Sequence, residues 1–211
     1  MSGCGHIDML AQYPVQGAKY YFKNSVAAGT EILHASTMST DTTGGVVPMS
    51  DRGEKITTEQ MQARLDHASP LLLANAASFG IHDILSNYLH AFDVPILKDD
   101  SCFVVESELR GFDLRSSSSG TEVRVAVSTK IVDQRSKTVI WDDRQTCVAQ
   151  MNASAFPPAV GFSGAYATTA NAARLLSLSD EDFLKVLEVT TQEASKAVAE
   201  AFYVDIDQVK K

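Results

Sequence analysis

The residues able to carry chemistry in this sequence are few and scattered. Five histidines occur, His6, His34, His67, His82 and His90, and only His82 and His90 fall on one expected helix. Eight positions apart, they cannot share a ligand set, and neither has a carboxylate four residues away. Asp142, Asp143 and Arg144 form a compact charged group after Trp141. Adjacent residues on a strand point to opposite faces, so the two acids would not work as an acid–base pair. Glu106 and Glu108 do share a face, about 7 Å apart, and read as polar sheet surface before they read as an acid pair. Gly161-Phe162-Ser163-Gly164 lacks the strand-to-helix setting of a nucleophile elbow, and there is no P-loop or GxGxxG. The three cysteines form no CxxC and no zinc-spaced cluster with histidine. The expectation is a non-enzyme with no catalytic residue, no metal and no cofactor.

The cysteine near the start carries more information. Ser2-Gly3-Cys4 matches the end of a bacterial lipoprotein signal, where small residues precede a cysteine whose thiol is acylated. Met1 takes the place of the usual apolar residue, and no apolar signal core precedes it, as expected of a sequence trimmed ahead of the processing site. Cys4 is therefore the expected lipid-attachment residue. Its acyl chains would supply membrane affinity at about 0.8 kcal/mol per buried CH₂, so the protein body need not adhere. Gly5, not Asp, follows it, which leaves outer-membrane sorting open. Cys102 and Cys147 are expected at opposite ends of a sheet, far beyond the ~7 Å limit for bridging, and so as two buried free thiols.

The 211 residues contain 26 acids and 18 bases, for a net charge of −8. That balance argues against nucleic acid, where a basic patch supplies most of the affinity. It also argues against electrostatic adhesion to anionic lipid. No apolar run approaches the roughly 18 residues that a membrane span needs.

The elements around these residues can be placed by pattern. Tyr20, Tyr21 and Phe22 suggest a short strand. Residues 37–55 crowd Ser, Thr, Asp, Gly and Pro into an expected loop, which divides an N-terminal arm (1–56) from the main body (57–211). A short helix is expected over 57–67. A longer one runs over 69–92, with Ser69 as N-cap, Pro70 in the first turn, Leu72, Ala76, Phe79, Ile84, Tyr88 and Phe92 on its buried stripe, and Leu73, Ala77, Leu85 and Leu89 broadening it. Gly80 inside it signals close packing or a bend. Three strands follow at 102–114, 121–132 and 138–150, the middle one alternating Val123, Val125, Val127 with Glu122, Arg124, Ser128. Residues 153–173 carry no charge and read as a long loop. Ser179 then caps a helix over 179–202, with three acids in its first turn. The fold class expected is α+β: an antiparallel meander with two main helices on one face. Phe156, Phe162 and Tyr166, aromatic residues in the uncharged loop, are the expected partner-contact residues.

This order of elements behind Ser-Gly-Cys resembles the small periplasmic α/β lipoproteins that serve as auxiliary components of ABC-type lipid-transport systems. The residues that carry the resemblance are Phe103 to Phe112, the strand 121–132 and Val139-Ile140-Trp141. It implies a non-catalytic partner of envelope transport-complex proteins and possible contact with lipid, tethered at the periplasmic face of the outer membrane. The text from Ser128 to Trp141 is also similar to outer-membrane assembly lipoproteins related to curli secretion and to penicillin-binding-protein activators, which implies an oligomerising module. A third reading is a cytosolic enzyme or ligand-binding protein with 153–173 as a lid.

Overall fold

A computed structural model of the chain describes residues 9–28, 32–38, 51–89, 92–93, 102–151 and 164–209. In chain order the elements are β1 (Lys19–Val26), β2 (Leu33–Met38), α1 (Asp51–Leu65), α2 (Pro70–Leu89), β3 (Phe92–Asp93), β4 (Cys102–Ser117), β5 (Gly120–Asp133), β6 (Thr138–Gln150), α3 (Gly164–Ser177) and α4 (Asp180–Val209). The class is α+β, and β4, β5 and β6 form the expected antiparallel meander.

The rest of the sheet departs from a pure meander. Both β1 and β2 pair parallel to β4 along its same edge, β1 beside Cys102–Leu109 and β2 beside Phe112–Ser117. They act as one long strand broken at the point where β4 shifts register between Leu109 and Gly111. Ala27 N–H donates to the Leu109 carbonyl before the break, and Phe112 N–H donates to the Ile32 carbonyl after it. Two strands ahead of residue 56 therefore belong to the same sheet as the body.

The core lies on one side of this sheet. Val105, Leu109, Phe112, Leu114, Val123, Val125, Val127 and Ile131 point inward, at the alternate positions their strand period dictates. Against them pack Met61 and Leu65 of α1, Leu73, Ile81 and Leu85 of α2, Leu175 of α3, and Phe183, Leu187, Val198 and Phe202 of α4. Trp141 meets Phe202 edge to face at 5.0 Å. Four helices rather than two thus cover the sheet among the described residues. α1 also guards the β2 edge: Ala35 N–H donates to Gln62 Oε1 at 2.7 Å, and Gln62 Nε2 donates to the Leu33 carbonyl at 3.0 Å.

Three sequence expectations need correction here. Residues 164–177 are helix, not loop: the Ala-rich run puts Ala167, Thr168, Asn171, Ala172 and Leu175 on one buried stripe, and the polar members find partners. Residues 51–56 begin α1 instead of ending a loop. The stripe of α2 is buried at Leu73, Ala76, Ala77, Leu85 and Leu89 as expected, but it centres on Leu73, Ala77, Ile81 and Leu85, which turns Phe79 outward to 59% exposure.

Candidate functional site

Two ends of the long strand β4 concentrate what this fold has to offer. β4 runs sixteen residues, so its ends stand roughly 50 Å apart at about 3.3 Å per residue.

At the first end the segment before β1 is fastened down. Leu10 and Val15 are buried, and the turn is closed by Gln12 N–H to Met9 O at 3.0 Å and Val15 N–H to Tyr13 O at 2.9 Å. Gly17, in the left-handed region with φ 64°, sends its N–H to the Leu89 carbonyl at 2.8 Å, the last residue of α2. Tyr20 Oη donates to the Val15 carbonyl at 2.5 Å, and its ring packs with Phe103 at 5.5 Å. Tyr13 meets the other side of Phe103 edge to face at 6.3 Å. An apolar cleft of about 260 Å³ lies between this segment and the end of α4, walled by Leu10, Tyr13, Pro14, Val15, Ile206 and Val209.

At the second end the β4–β5 hairpin is tied to α3. Ser116 Oγ donates to Thr168 O at 3.2 Å, Thr168 Oγ1 to Met38 O at 3.2 Å, and Asn171 Nδ2 to Ser117 O at 2.8 Å. β6 finishes at this end too, with Gln150 opposite Glu122 and Met151 N–H on the Thr121 carbonyl. The stretch that links β6 to α3 therefore departs from, and returns to, the end remote from Tyr20.

Cys4, Phe156 and Phe162 lie outside the described residues, as do His6 and His90. Tyr166 falls within α3, a helix and not the expected loop, and its backbone alone is described. The cleft sits at the end of the sheet opposite the Ser116–Ser117 end to which α3 is tied.

The candidate chemical groups stay apart, as their spacing implies. Glu106 pairs with Lys23 at 3.5 Å and Glu108 with Arg110 at 2.7 Å, on the open face of the sheet. Asp142 faces outward opposite Lys130, whereas Asp143 shares the inward rows and accepts from Gln145 Nε2 at 2.5 Å. His82 sits between Phe22 at 4.5 Å and Phe79 at 6.2 Å. Among the described residues no three His, Cys, Asp or Glu side chains gather to hold a metal ion. No described helix is long and apolar enough to cross a membrane. Cys102 and Cys147 are both buried thiols, neither of them in a disulfide. Cys147 stands opposite Val125, which faces Phe112, ten positions along β4 from Cys102, a separation of roughly 30 Å. Burial, and then the charge of Asp143, pushes the Cys147 thiol up to about 11.

Sequence reasoning missed the side chains that lock the helices. Arg64 Nη1 donates to the carbonyls of Leu175 (3.1 Å) and Leu176 (2.6 Å), and Nη2 to Leu178 and to Asp180 Oδ1 (3.2 Å). Its guanidinium also lies 4.7 Å over the Phe183 ring. A lone arginine in an amphipathic helix gives no sequence signal of such a role.

No family model and no curated protein matches this sequence. Among solved structures, the chain is similar to an uncharacterized protein at 10% identity and a TM-score of 0.41, covering 90% of this chain and 94% of that one. It is similar to a DUF330 protein of Xanthomonas campestris at 11% identity and a TM-score of 0.37, over 92% and 88% of the two chains. It is also similar to a candidate lipoprotein of Caulobacter crescentus CB15 at 11% identity and a TM-score of 0.30, over 96% and 93%.

Proposed function

We propose that this chain is a non-catalytic bacterial envelope lipoprotein, anchored through Cys4 at the periplasmic face of the outer membrane. In this reading it serves a lipid-transport complex of the ABC type as a partner-binding auxiliary. The observation that carries the reading is the placement of Ser2-Gly3-Cys4 just ahead of a segment pinned to the body at Leu10, Val15 and Gly17. Four residues lie between Cys4 and Met9, and an extended link over those five Cα–Cα steps reaches at most about 18 Å. Acyl chains on Cys4 would tether the Tyr20 end of the sheet to the bilayer. The flanks of the segment with Phe156 and Phe162, Met151 before it and α3 with Tyr166 after it, lie at the other end, roughly 50 Å along the sheet, where a partner in the periplasm would meet it.

The test is the intact mass of the protein taken from membranes of its native host, expressed with its full upstream sequence. A mass raised by a diacylglyceryl group and a fatty acid, and lost in Cys4→Ser, is the expected result. An unmodified soluble protein would sink the proposal. For the partner, in-membrane crosslinking should recover the same envelope protein from the native chain and not from Phe156→Ala/Phe162→Ala/Tyr166→Ala. Equal recovery would remove those residues from the contact.

A further inference from the structure

β6 is a thirteen-residue strand on the rim of the sheet, and among the described residues no strand pairs with its outer edge. Long unpaired edges invite another strand, and proteins that stay monomeric blunt them. The side chains along this edge carry a pattern that continues beyond it. Across the open face one row reads Lys23, Glu106, Lys130, Asp142, from β1 through β4 and β5 to β6, alternating in sign at every step. The next row reads Ser25, Glu108, Ser128, Arg144.

We infer that β6 is a self-pairing edge, joining a second copy of this chain antiparallel about a two-fold axis at Asp143. Such an axis, perpendicular to the sheet, must set outward residues against outward residues. Passing it through Asp142 or Arg144 places like charges face to face, which is unfavourable. Passing it through Gln145 sets Asp142 against Val148 and Arg144 against Thr146. An axis at Asp143 sets Asp142 of each copy directly against Arg144 of the other, twice. The row then runs Lys23, Glu106, Lys130, Asp142, and on into Arg144, Ser128 and Glu108 of the second copy, with alternation of sign kept across the join.

The backbone is ready for this exchange. Arg144 N–H donates to its neighbour Asp143 Oδ1 at 2.7 Å, so a side-chain oxygen holds the place of an incoming carbonyl. Val148, 50% exposed, flanks the join on one side, and the irregularity between Trp141 and Val139 ends the matched register on the other. One term opposes the pairing: Asp143 meets its own counterpart on the inward side at the axis. Each is held by Gln145 Nε2.

Sedimentation equilibrium on the full-length Cys4→Ser chain should give twice the 22.8 kDa chain mass at micromolar concentration. Arg144→Asp and Asp142→Arg should each weaken the dimer at least about tenfold, and the double variant Asp142→Arg/Arg144→Asp should restore it. Asp143→Asn should tighten it. Under mild oxidation Asp143→Cys should link two chains and Gln145→Cys should not, since only the first brings its Cα atoms within bridging distance. A monomeric starting chain would overturn the inference. So would a dimer indifferent to the single reversals, or linkage through Gln145→Cys in place of Asp143→Cys.

Discussion

Gly80 on α2 and Gln192 on α4 touch backbone to backbone: a methyl group added to Gly80 would stand 2.2 Å from the Gln192 carbonyl oxygen and 2.9 Å from its carbon. The atom in the way belongs to the main chain of a 30-residue helix, so it cannot swing aside. The neighbours in the crossing are correspondingly small, Ala76 and Ala77 on one side and Thr191, Ala194 and Ser195 on the other. In an exposed helix Gly→Ala gains about 1 kcal/mol. Here the sign reverses, because overpacking of a tight contact costs about 1–3 kcal/mol.

Gly80→Ala should therefore lose about 2 kcal/mol net, which at this chain length lowers Tm by roughly 4–8 °C. Thermal unfolding followed by circular dichroism checks it. An unchanged or raised Tm would mean that α2 and α4 slide apart without penalty.

Arg64 closes the C-terminal end of α3, where unpaired carbonyls and the negative end of the helix dipole both attract a cation. Its side chain is only 13% exposed and reaches Leu175, Leu176, Leu178 and Asp180 while covering Phe183. Removing it leaves buried carbonyls without donors, at about 1–3 kcal/mol. Arg64→Ala should lower urea stability by about 3 kcal/mol. Arg64→Lys should recover less than half, because one ammonium cannot span acceptors arranged for a fork. Full rescue by lysine would reduce the role of Arg64 to charge alone.

How much of this was legible in the sequence follows from which forces are local. Strict alternation at Val123, Val125 and Val127 fixed β5, and the Ser179 cap is present as expected, its Oγ accepting from Asp182 N–H at 3.1 Å. The start of β4 and the separation of the two cysteines followed from the same period, whereas β4 runs three residues past the expected end at 114. Parallel pairing of β1 and β2 with β4 was not legible, because register between segments about 80 residues apart depends on the packing of α1 and α2. α3 was hidden by Thr168 and Asn171, which look like loop residues until their partners Met38 and Ser117 are in place. The proposed attachment at Cys4 is read from the three letters Ser2-Gly3-Cys4, which lie outside the described residues.

Two hydroxyls sit opposite each other on the inward face with no hydrogen-bond partner, Ser107 Oγ on β4 and Thr129 Oγ1 on β5. Both are buried, and an unsatisfied buried hydroxyl costs about 1–3 kcal/mol. Replacing both with apolar groups of similar shape removes the cost. Thr129→Val with Ser107→Ala should therefore leave stability unchanged or raise it by about 1–2 kcal/mol. A loss of stability in the double variant would place a bound water between the two oxygens.

The buried thiols give a simple check of the core. At pH 8 a thiol reagent should find Cys4 alone on the folded chain and nothing on Cys4→Ser. In denaturant Cys102 and Cys147 should add two equivalents. Burial shields both, and the raised pKa of about 11 at Cys147 keeps it as the unreactive thiol. Reaction of either at native rates above those of global unfolding would show that the core opens locally around that thiol, at the start of β4 for Cys102 and on β6 for Cys147.

The last turns of α4 carry Asp205 and Asp207 and no basic residue, against the preference set by the helix dipole. Side-chain donors from other elements hold them: Trp141 Nε1 to Asp205 Oδ2 at 2.9 Å, and Tyr88 Oη to Asp207 Oδ1 at 2.7 Å. Desolvation first, and then the hydrogen bond and charge of Asp207, push the Tyr88 phenol up to about 12. The folded chain thus holds this proton more tightly than the unfolded chain, where tyrosine ionises near 10. The contribution of Tyr88 is complete below pH 10 and is lost as pH rises from 10 through 12. Tyr20, buried and bonded to Val15, is pushed up as well, so the core should outlast the α4 end. Over that window the emission of Trp141, the single tryptophan, should shift to the red before circular dichroism reports global unfolding. Tyr88→Phe, which has no phenol to ionise, should lack this early step. An identical step in Tyr88→Phe, or no step before global unfolding, would show that Asp207 does not fasten the end of α4 through Tyr88.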